Sequence, residues 1–233
     1  MHVSIVTGGG SGVGRAVAVR MAAAGWRVAI LGRTEATLRE TAGLAAPGRV
    51  LPITTDVSDD AAVTAAVARV EAELGPPLAL VNAAGTNLAR RGLDELSADD
   101  FRSLIDVNLT GAFLCVRAVL PAMRRAGRGT IVNVVSDAGL TANAKAGAAY
   151  VASKFGLRGL TQSINAEHRG HGLRACAVLP GDINTPLLDK RPTPPPQERR
   201  LQMLQPEDVA ACVMLAIDLP DRAIVEELLV RPR

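Results

Sequence analysis

The sequence predicts an α/β fold in which a doubly wound parallel sheet of about seven strands carries helices on both faces. Short apolar runs alternate with longer helical patterns along the whole chain, as in βα units that feed a parallel sheet. The first apolar run leads directly into a glycine-rich turn and then into a helical pattern. Right-handed crossovers and one reversal of strand order would place a binding crevice at the carboxyl ends of the strands.

The expected elements follow these runs in chain order. Strands are expected at Val3–Thr7, Arg27–Leu31, Val50–Thr54, Leu78–Asn82, Thr130–Ser136, Arg174–Leu179 and Ile224–Val230. Helices are expected at Gly12–Ala24, Glu35–Leu44, Asp59–Leu74, Ala98–Arg125, Ala148–Gly170 and Pro206–Asp218, several of them opened by a Ser, Thr or Asp cap. No internal repeat or linker interrupts this order, so residues 1–233 are expected to form one domain.

The composition is that of an ordinary globular protein, with 48% hydrophobic and 21% charged residues. Aromatic residues make up only 2%, so Val, Leu, Ile and Ala are expected to fill the interior. The formal net charge of +3 comes from basic residues that are scattered among 23 acids. This distribution argues against a nucleic-acid partner.

The three cysteines, Cys115, Cys176 and Cys212, lie far apart without CxxC spacing or nearby histidines. We interpret them as free thiols in a reducing compartment, and no metal site is expected. No apolar stretch reaches the roughly 18 residues that a membrane span needs, and the first residues lack a charged leader followed by an apolar core. A cytoplasmic protein without a membrane partner is therefore expected.

The turn after the first strand reads TGGGSGVG from Thr7 to Gly14. Glycines here allow a tight turn, close approach of the backbone to a pyrophosphate, and close helix–strand packing. The following helix N-terminus offers free N–H groups and a partial positive charge to an anion. Strand, turn and helix in this order predict a Rossmann-like dinucleotide site. The expected contacts in the turn are Thr7, Gly8, Ser11, Gly12, Val13 and Gly14.

The second strand ends at Gly32 and Arg33, where a fold specific for NAD would carry an acid for the ribose hydroxyls. Gly32 leaves room and the Arg33 guanidinium suits a 2′-phosphate, so NADP(H) is expected rather than NAD(H). A solvent-facing Arg33 at a helix start is the alternative. Asp56 and Val57 follow the third strand. Asp56 would accept a hydrogen bond from the adenine amino group, or instead act as a turn or cap residue.

Tyr150 is the only tyrosine, and it precedes Lys154 by about one helical turn, so the phenol and the ammonium share a face. A neighbouring positive charge favours phenolate and would lower the phenol pKa from about 10 toward working pH, where general acid–base catalysis is most efficient. A core tyrosine with a surface lysine nearby is the alternative.

Several motifs occur together in a fixed order: TGGGSGVG, the turn Asn82-Ala83-Ala84-Gly85, and Ser136 ahead of Tyr150-x-x-x-Lys154. On these motifs the chain resembles the short-chain dehydrogenase/reductase family over essentially its whole length. The glycine motif differs from the GxGxxG form, and Gly8, Gly12 and Gly14 occupy the family's three positions.

The resemblance implies a catalytic set of Asn108, Ser136, Tyr150 and Lys154. Tyr150 would pass a proton to or from the reacting oxygen, and Ser136 would hydrogen-bond that oxygen. Lys154 would lower the phenol pKa and contact the nicotinamide ribose, and Asn108 would hold a water between Lys154 and solvent. Taken alone, Ser136 is also compatible with a strand-end cap, and Asn108 with a helix-bending polar residue.

The resemblance also implies further cofactor contacts. Pro180-Gly181 with Thr185 resembles the family's motif after the sixth strand, where backbone and hydroxyl groups meet the nicotinamide carboxamide. A simple proline–glycine turn is the alternative. The other expected contacts are Asn82, Ala83, Ala84, Gly85, Tyr150, Lys154 and Ile183.

Residues 182–204 are expected to form a lid over substrate and nicotinamide. The candidate substrate contacts are Ser136, Asp137, Asn143 and Asp182. Lys190, Arg191, Arg199 and Arg200 favour an anionic substrate, whereas Asp137, Asp182 and Asp189 oppose one, so charge does not decide and a small polar hydroxy or oxo compound is expected. Asp137 stands where the family usually has a small residue; it would bind a substrate hydroxyl or amine, or merely cap a turn.

These expectations describe an NADP(H)-dependent oxidoreductase that interconverts a secondary alcohol and a carbonyl. A homodimer or homotetramer through Ala98–Arg125 and Ala148–Gly170 is expected. Many relatives carry a glycine- and aspartate-containing turn before the last strand closes, whereas here residues 223–233 run straight out, so the family's common tetramer contacts are in doubt. Two alternatives are a non-catalytic NADP(H)-binding sensor or partner-binding protein on the same fold, and an epimerase or dehydratase with bound NAD. The short chain and Arg33 disfavour the latter.

Overall fold

The computed structural model describes residues 1–233 and contains one seven-stranded sheet whose paired strands are all parallel. The strands are β1 (Val3–Thr7), β2 (Arg27–Gly32), β3 (Val50–Thr54), β4 (Ala79–Asn82), β5 (Gly129–Val134), β6 (Leu173–Pro180) and β7 (Glu227–Val230). Their order across the sheet is β3-β2-β1-β4-β5-β6-β7. The predicted fold class is confirmed, and the strand order reverses between β1 and β4, where such folds open a crevice.

Eight α-helices surround the sheet. They are α1 (Gly12–Ala23), α2 (Glu35–Gly43), α3 (Asp60–Glu73), α4 (Ala98–Ile105), α5 (Gly111–Ala126), α6 (Ala148–His168), α7 (Gln197–Leu201) and α8 (Pro206–Asp218). The predicted helix over Ala98–Arg125 is present, and a π-helical segment at Asp106–Thr110 inside it divides it into α4 and α5. The short helix α7, inside the expected lid, was not predicted.

The core lies on both faces of the sheet, because successive side chains of a strand point to opposite sides. In each of β1, β2, β4 and β5, one residue of a consecutive pair packs on the side of α1 and α8, and its neighbour packs on the side of α3 and α5. These pairs are Val6 and Ile5, Ile30 and Leu31, Val81 and Leu80, and Val132 and Ile131. The buried hydrophobic side chains are all aliphatic or sulfur-containing, as the low aromatic content predicts.

The helical stretch Ala98–Ala126 corrects the expectation that no segment is apolar enough to span a membrane. Its mean hydropathy of 1.5 and its length meet that criterion. However, Leu114, Val119 and Met123 from this stretch are buried in the core against the sheet. Core helices meet the same criterion, and the buried side chains of this stretch pack as those of a core helix.

All three cysteines are free thiols, as predicted. Burial raises the pKa of Cys115 and that of Cys176 to about 12. Because the thiolate is the reactive form, these two residues behave as small apolar core residues.

Candidate active site

The glycine turn between β1 and α1 leaves no room for side chains. Gly8 has a φ of +67°, and a Cβ built on it would lie 2.9 Å from the carbonyl oxygen of Ala83. Ser11 precedes α1 with an extended backbone and makes no side-chain cap, and the first turn of the helix has no acid. The N–H groups at the start of α1 are therefore available to an anionic ligand.

Thr7 and Asn82, the last residues of β1 and β4, hold the ends of the central strands together. The Thr7 Oγ1 accepts hydrogen bonds from the backbone N–H groups of Ala83 at 3.1 Å and Ala84 at 3.0 Å. The Asn82 Nδ2 donates to the Oδ1 of Asn133 on β5 at 2.9 Å. Thr7 and Asn82 are buried, so they position the crevice wall instead of lining it.

A crevice of about 840 Å³ opens at the carboxyl ends of the central strands. Most of the predicted cofactor contacts line it, as do all four candidate substrate contacts. The predicted residues that line it are Gly8, Ser11, Gly12, Val13, Gly14, Ala83, Gly85, Ser136, Asp137, Asn143, Tyr150, Lys154, Pro180, Gly181, Asp182, Ile183 and Thr185. The predicted residues that do not line it are Thr7, Arg33, Asp56, Val57, Asn82, Ala84 and Asn108.

The crevice fits a nicotinamide dinucleotide. A side-chain-free cradle at Gly8, an uncapped helix start at Ser11 and the long adjoining cavity match the pyrophosphate and the two halves of such a ligand. Ser11, Gly12 and Val13 would hold the pyrophosphate through backbone N–H groups. Tyr150 and Lys154 line the same crevice and would contact the nicotinamide half.

Tyr150 and Lys154 lie on one face of α6, next to Ser136 at the end of β5. The Lys154 Nζ donates to the carbonyl oxygen of Val134 at 3.0 Å and lies 5.5 Å from the centre of the Tyr150 ring. The Ser136 Oγ accepts a hydrogen bond from the backbone N–H of Ala138 at 3.2 Å. Ser136 therefore has the cap role, and this role is compatible with the predicted hydrogen bond between its hydroxyl and the reacting oxygen.

Burial dominates the ionisation of this pair. It raises the pKa of Tyr150 to about 12, and the charge of Asp137 acts in the same direction. The hydrogen bond with Ser136 and the charges of Arg191 and Arg91 only partly offset this rise. Burial also lowers the pKa of Lys154 to about 8. In the free protein, therefore, Lys154 does not produce the expected lowering of the phenol pKa. The cause is that desolvation outweighs every nearby charge.

Asn108 lies in the π-helical segment and is only 1% exposed. Its Oδ1 accepts from the backbone N–H of Thr86 at 2.7 Å, and its Nδ2 donates to the carbonyl oxygen of Thr86 at 3.0 Å and to the Oγ of Ser153 at 3.2 Å. These bonds fix the chain directly after Gly85, which lies near both Asn108 and Lys154. The water-holding role of Asn108 stays a prediction, and its bonds show a positioning role.

Arg33 is exposed and makes no hydrogen bond or ion pair. Asp56 accepts hydrogen bonds from Ser58, through the hydroxyl at 2.7 Å and the backbone N–H at 3.0 Å. These bonds, the hydroxyl first, hold the pKa of Asp56 below its ordinary value, and the charge of Arg33 adds to them. The geometry favours the turn role of Asp56. Val57 is buried against Gly111.

The expected lid contains a 3-10 turn at Pro186–Lys190 and the helix α7. It is fastened to the body of the protein at two points. The Nη2 of Arg91 donates to the carbonyl oxygen of Lys190 at 2.6 Å, and the Lys190 Nζ donates to the Thr86 hydroxyl at 2.8 Å. Residues of the segment 182–204, among them Asp182, Leu188 and Arg199, line the crevice, and the role of the segment as a lid stays a prediction.

Among the lining residues that sequence reasoning missed are three polar ones, Asn87, Arg91 and Arg231. Asn87 and Arg91 lie in the irregular segment between β4 and α4, and Arg231 follows β7. No motif marks these positions. Only the strand order brings the two segments to the same crevice.

Comparison with known proteins identifies the family. The family model for short chain dehydrogenase matches residues 2–195. The chain is 41% identical over 189 residues to a 2-dehydro-3-deoxy-L-rhamnonate dehydrogenase (NAD(+)) of Sphingomonas sp., a match that covers 81% of this chain and 75% of that protein. It is also 41% identical over 195 residues to a 2-(R)-hydroxypropyl-CoM dehydrogenase of Xanthobacter autotrophicus, covering 82% of this chain and 78% of that protein.

Solved structures show the same fold along the whole chain. An alcohol dehydrogenase from the archaeon Thermococcus sibiricus, complexed with 5-hydroxy-NADP, superposes with a TM-score of 0.87 at 29% identity, covering 100% of this chain and 97% of that one. The closed form of a serine dehydrogenase complexed with NADP+ superposes with a TM-score of 0.91 at 28% identity, covering 99% of this chain and 94% of that one.

The substitution Lys154→Met is expected to stabilise the free protein at pH 7. Below a pKa of about 8 the folded state carries a buried cation that the unfolded chain would solvate. This costs up to about 3 kcal/mol. Removing the hydrogen bond to Val134 takes back about 1 kcal/mol. The Tm should therefore rise by roughly 4–8 °C at pH 7, and the gain should fade as the pH rises from about 8 towards the ordinary lysine pKa.

Lys145→Met is the matched control for this prediction, because Lys145 lines the same crevice but is exposed. Its Tm should stay near that of the wild type across the same pH range. A Lys154→Met protein whose Tm at pH 7 equals or falls below the wild-type value would contradict the argument from burial.

Proposed function

Because the chain belongs to the short chain dehydrogenase family, we propose that it is an oxidoreductase that interconverts a secondary alcohol and a carbonyl with NADP(H) as cofactor. The observation that carries this proposal is the convergence of Ser136, Tyr150 and Lys154 on the crevice into which the glycine turn opens. Both relatives at 41% identity are dehydrogenases by name.

Tyr150 is the proton-transfer group in this proposal. In carbonyl reduction the phenol gives its proton to the reacting oxygen and becomes phenolate, and in alcohol oxidation the phenolate takes that proton back. The nicotinamide dinucleotide, when bound, supplies the hydride donor for reduction and the hydride acceptor for oxidation. Ser136 donates a hydrogen bond to the reacting oxygen and stabilises the negative charge that develops there.

In the free protein, the phenol pKa of about 12 bears on the direction of the reaction. The protonated phenol, which a reduction requires, prevails at neutral pH. The phenolate, which an oxidation requires, gains from the neighbouring charges of Arg91 and Arg191, which lower the phenol pKa. Lys154 supports the site from α6, and Asn108 holds the backbone behind it through Thr86.

The preference for NADP(H) rests on the end of β2. Arg33 presents an exposed guanidinium without a partner, and no acid stands at this strand end to repel a 2′-phosphate. A free arginine is well suited to bidentate recognition of phosphate. Relatives use both cofactors, since NAD(+) stands in the name of the rhamnonate dehydrogenase and NADP+ in that of the serine dehydrogenase structure.

A homo-oligomer in the cytoplasm completes the proposal. All three phenylalanines of the chain are exposed: Phe101 by 38%, Phe113 by 43% and Phe155 by 42%. They lie on α4, α5 and α6, the helices expected to form subunit contacts. Exposed aromatic side chains on neighbouring helices are typical of an interface between subunits. The free thiols agree with a reducing compartment.

Replacing Tyr150 with Phe should abolish turnover and leave cofactor binding intact. The substitution removes only the hydroxyl that transfers the proton, so kcat should fall by about 100-fold to 10,000-fold. The Kd for NADPH, measured by nicotinamide fluorescence, should stay within about twofold of the wild-type value. A variant that retains wild-type kcat would end the assignment of Tyr150 as the proton-transfer group.

Replacing Arg33 with Ala should weaken NADPH and leave NADH almost unaffected. Loss of a charge-assisted contact with a phosphate should raise the Kd for NADPH by about tenfold or more. Arg39→Ala is the matched control, because Arg39 is an exposed arginine of α2 that pairs with Glu35 on its own helix. Equal losses for both cofactors in Arg33→Ala would show that Arg33 does not read the 2′-phosphate.

Light scattering should find the wild type as a dimer or tetramer, and the double substitution Phe113→Glu with Phe155→Glu should shift it toward monomer. Two carboxylates would place charge in a contact that is apolar in the wild type, and the cost of burying that charge would oppose association. Leu93→Glu serves as control, since Leu93 is 81% exposed in the loop before α4. A monomeric wild type would refute the assembly.

A further inference from the structure

Basic side chains outnumber acidic ones along the crevice. Two acids line it, and each is in an ion pair: Asp182 with Arg191, and Asp137 with Arg231 at 3.7 Å. Asp189 of the lid is paired with Arg200. The acids that oppose an anionic ligand on sequence alone are thus neutralised by side chains of the protein itself. The basic lining residues with no acidic partner, Lys154 apart, are Arg91, Lys145, Arg199 and Arg233.

Arg91 differs from the other three because it is buried. It is 8% exposed, and no carboxylate meets its guanidinium. Its Nη1 donates to the carbonyl oxygen of Lys145 at 3.1 Å, its Nη2 donates to that of Lys190 at 2.6 Å, and its Nε has no partner. An arginine stays protonated in proteins, so the crevice wall holds a buried cation without a counterion.

A second cation increases this imbalance. The pKa of Arg91 is lowered by burial first and by the charge of Arg191 second. Asp182 is paired with Arg191, yet the charge of Arg191 still lowers the pKa of Arg91, so the repulsion between the two guanidinium groups is only partly offset. An oxyanion bound here would relieve both the lost solvation of Arg91 and its repulsion by Arg191.

The uncompensated charge of Arg91 lies near the proposed reacting centre. The Arg91 Cβ would lie 2.7 Å from a Cβ built on Gly147, the residue that precedes α6 and lies close to Tyr150 in sequence. The charges of Arg91 and Arg191 both act on the Tyr150 phenol. An anion held by Arg91 would therefore be a short chain length away from an oxygen that is hydrogen-bonded to Tyr150.

The guanidinium is also held rigidly. Its two carbonyl partners belong to different loops, one before α6 and the other in the lid. The Asn87 Nδ2 donates to the carbonyl oxygen of Ala146 at 3.0 Å and ties the segment that carries Arg91 to the loop before α6. Of the five N–H donors of an arginine, two are used here, and the buried Nε–H and one N–H on each Nη have no partner in the protein. Because these bonds already orient the planar guanidinium, it loses little conformational entropy when it binds a carboxylate.

We propose that Arg91, assisted by Arg191, binds an oxyanion of the substrate, so that the enzyme prefers short hydroxy and oxo acids to neutral alcohols and ketones. This inference rests on the proposed function and specifies its substrate class. Arg91 is then the specificity-determining residue, while Ser136 and Tyr150 act on the hydroxyl or carbonyl group at the other end of the same small molecule.

The test compares acids with their neutral counterparts. Short 2- and 3-hydroxycarboxylates are offered with NADP+, each beside its methyl ester and, where one exists, its sulfonate analogue. In the wild type the kcat/KM of the acid should exceed that of the ester by about tenfold or more. In Arg91→Met this ratio should fall to about one. The control Arg90→Met, at the exposed neighbouring arginine, should keep the wild-type ratio.

A binding measurement separates this inference from the proposed function. Acetate, methanesulfonate and inorganic phosphate are added to the NADPH-loaded protein, whose pyrophosphate site is filled, and the Tm is recorded. At least one of the three should raise the Tm of the wild type and of Arg90→Met but not that of Arg91→Met, and the anion with the largest effect identifies the oxyanion. If Arg91→Met does not fold, Arg91→Lys, which keeps the charge without the fork, should lower the acid-to-ester ratio.

Each outcome decides one of the two claims. Equal kcat/KM for acids and esters in the wild type, or an acid preference that survives Arg91→Met, would overturn the anion site and leave the oxidoreductase standing. No turnover of acids, esters or other alcohols would overturn the oxidoreductase, and the Tm shifts would still decide whether Arg91 binds an oxyanion.

Discussion

The close approach of two backbone turns, one after β1 and one after β4, is the constraint on which the site depends. Gly8 lies against Ala83 and Ala84 at a distance that excludes a Cβ, and the Thr7 hydroxyl bonds both of their N–H groups. This contact joins the strands between which the order of the sheet reverses. The crevice opens beside this contact, and residues of both turns line it.

The same sheet buries the site, and this burial lowers the stability of the folded protein. Tyr150 and Lys154 lie where β5 and α6 enclose them, and burial shifts the pKa of each toward its neutral form. A folded protein gains no stability from holding an ammonium group with only the carbonyl oxygen of Val134 as partner. That such a lysine stands in the crevice is therefore an argument for function, because residues that reduce stability persist where activity needs them.

Sequence patterns predicted the fold because hydrophobic periodicity and glycine turns are local. The strands, the glycine turn and the pairing of Tyr150 with Lys154 on one helical face all depend on residues close in sequence. The π-helical segment around Asn108 was not predictable in this way, because its residues have an ordinary helical pattern and only tertiary bonds to Thr86 and Ser153 mark it. The direction of the Tyr150 pKa shift in the free protein was not predictable for a similar reason, because sequence shows the neighbouring charge and does not show burial.

Charge in the crevice is the clearest case of information that sequence does not contain. The lid and the residue after Ser136 supply bases and acids in comparable numbers, so a count of charges leaves the sign of the ligand open. Folding pairs Asp137, Asp182 and Asp189 with arginines and removes them as obstacles to an anion. It also brings Arg91, from a segment without any motif, to the crevice as a buried cation with no counterion. The electrostatic character of a site is decided by which charges remain after the protein has paired its own, and here those charges are positive.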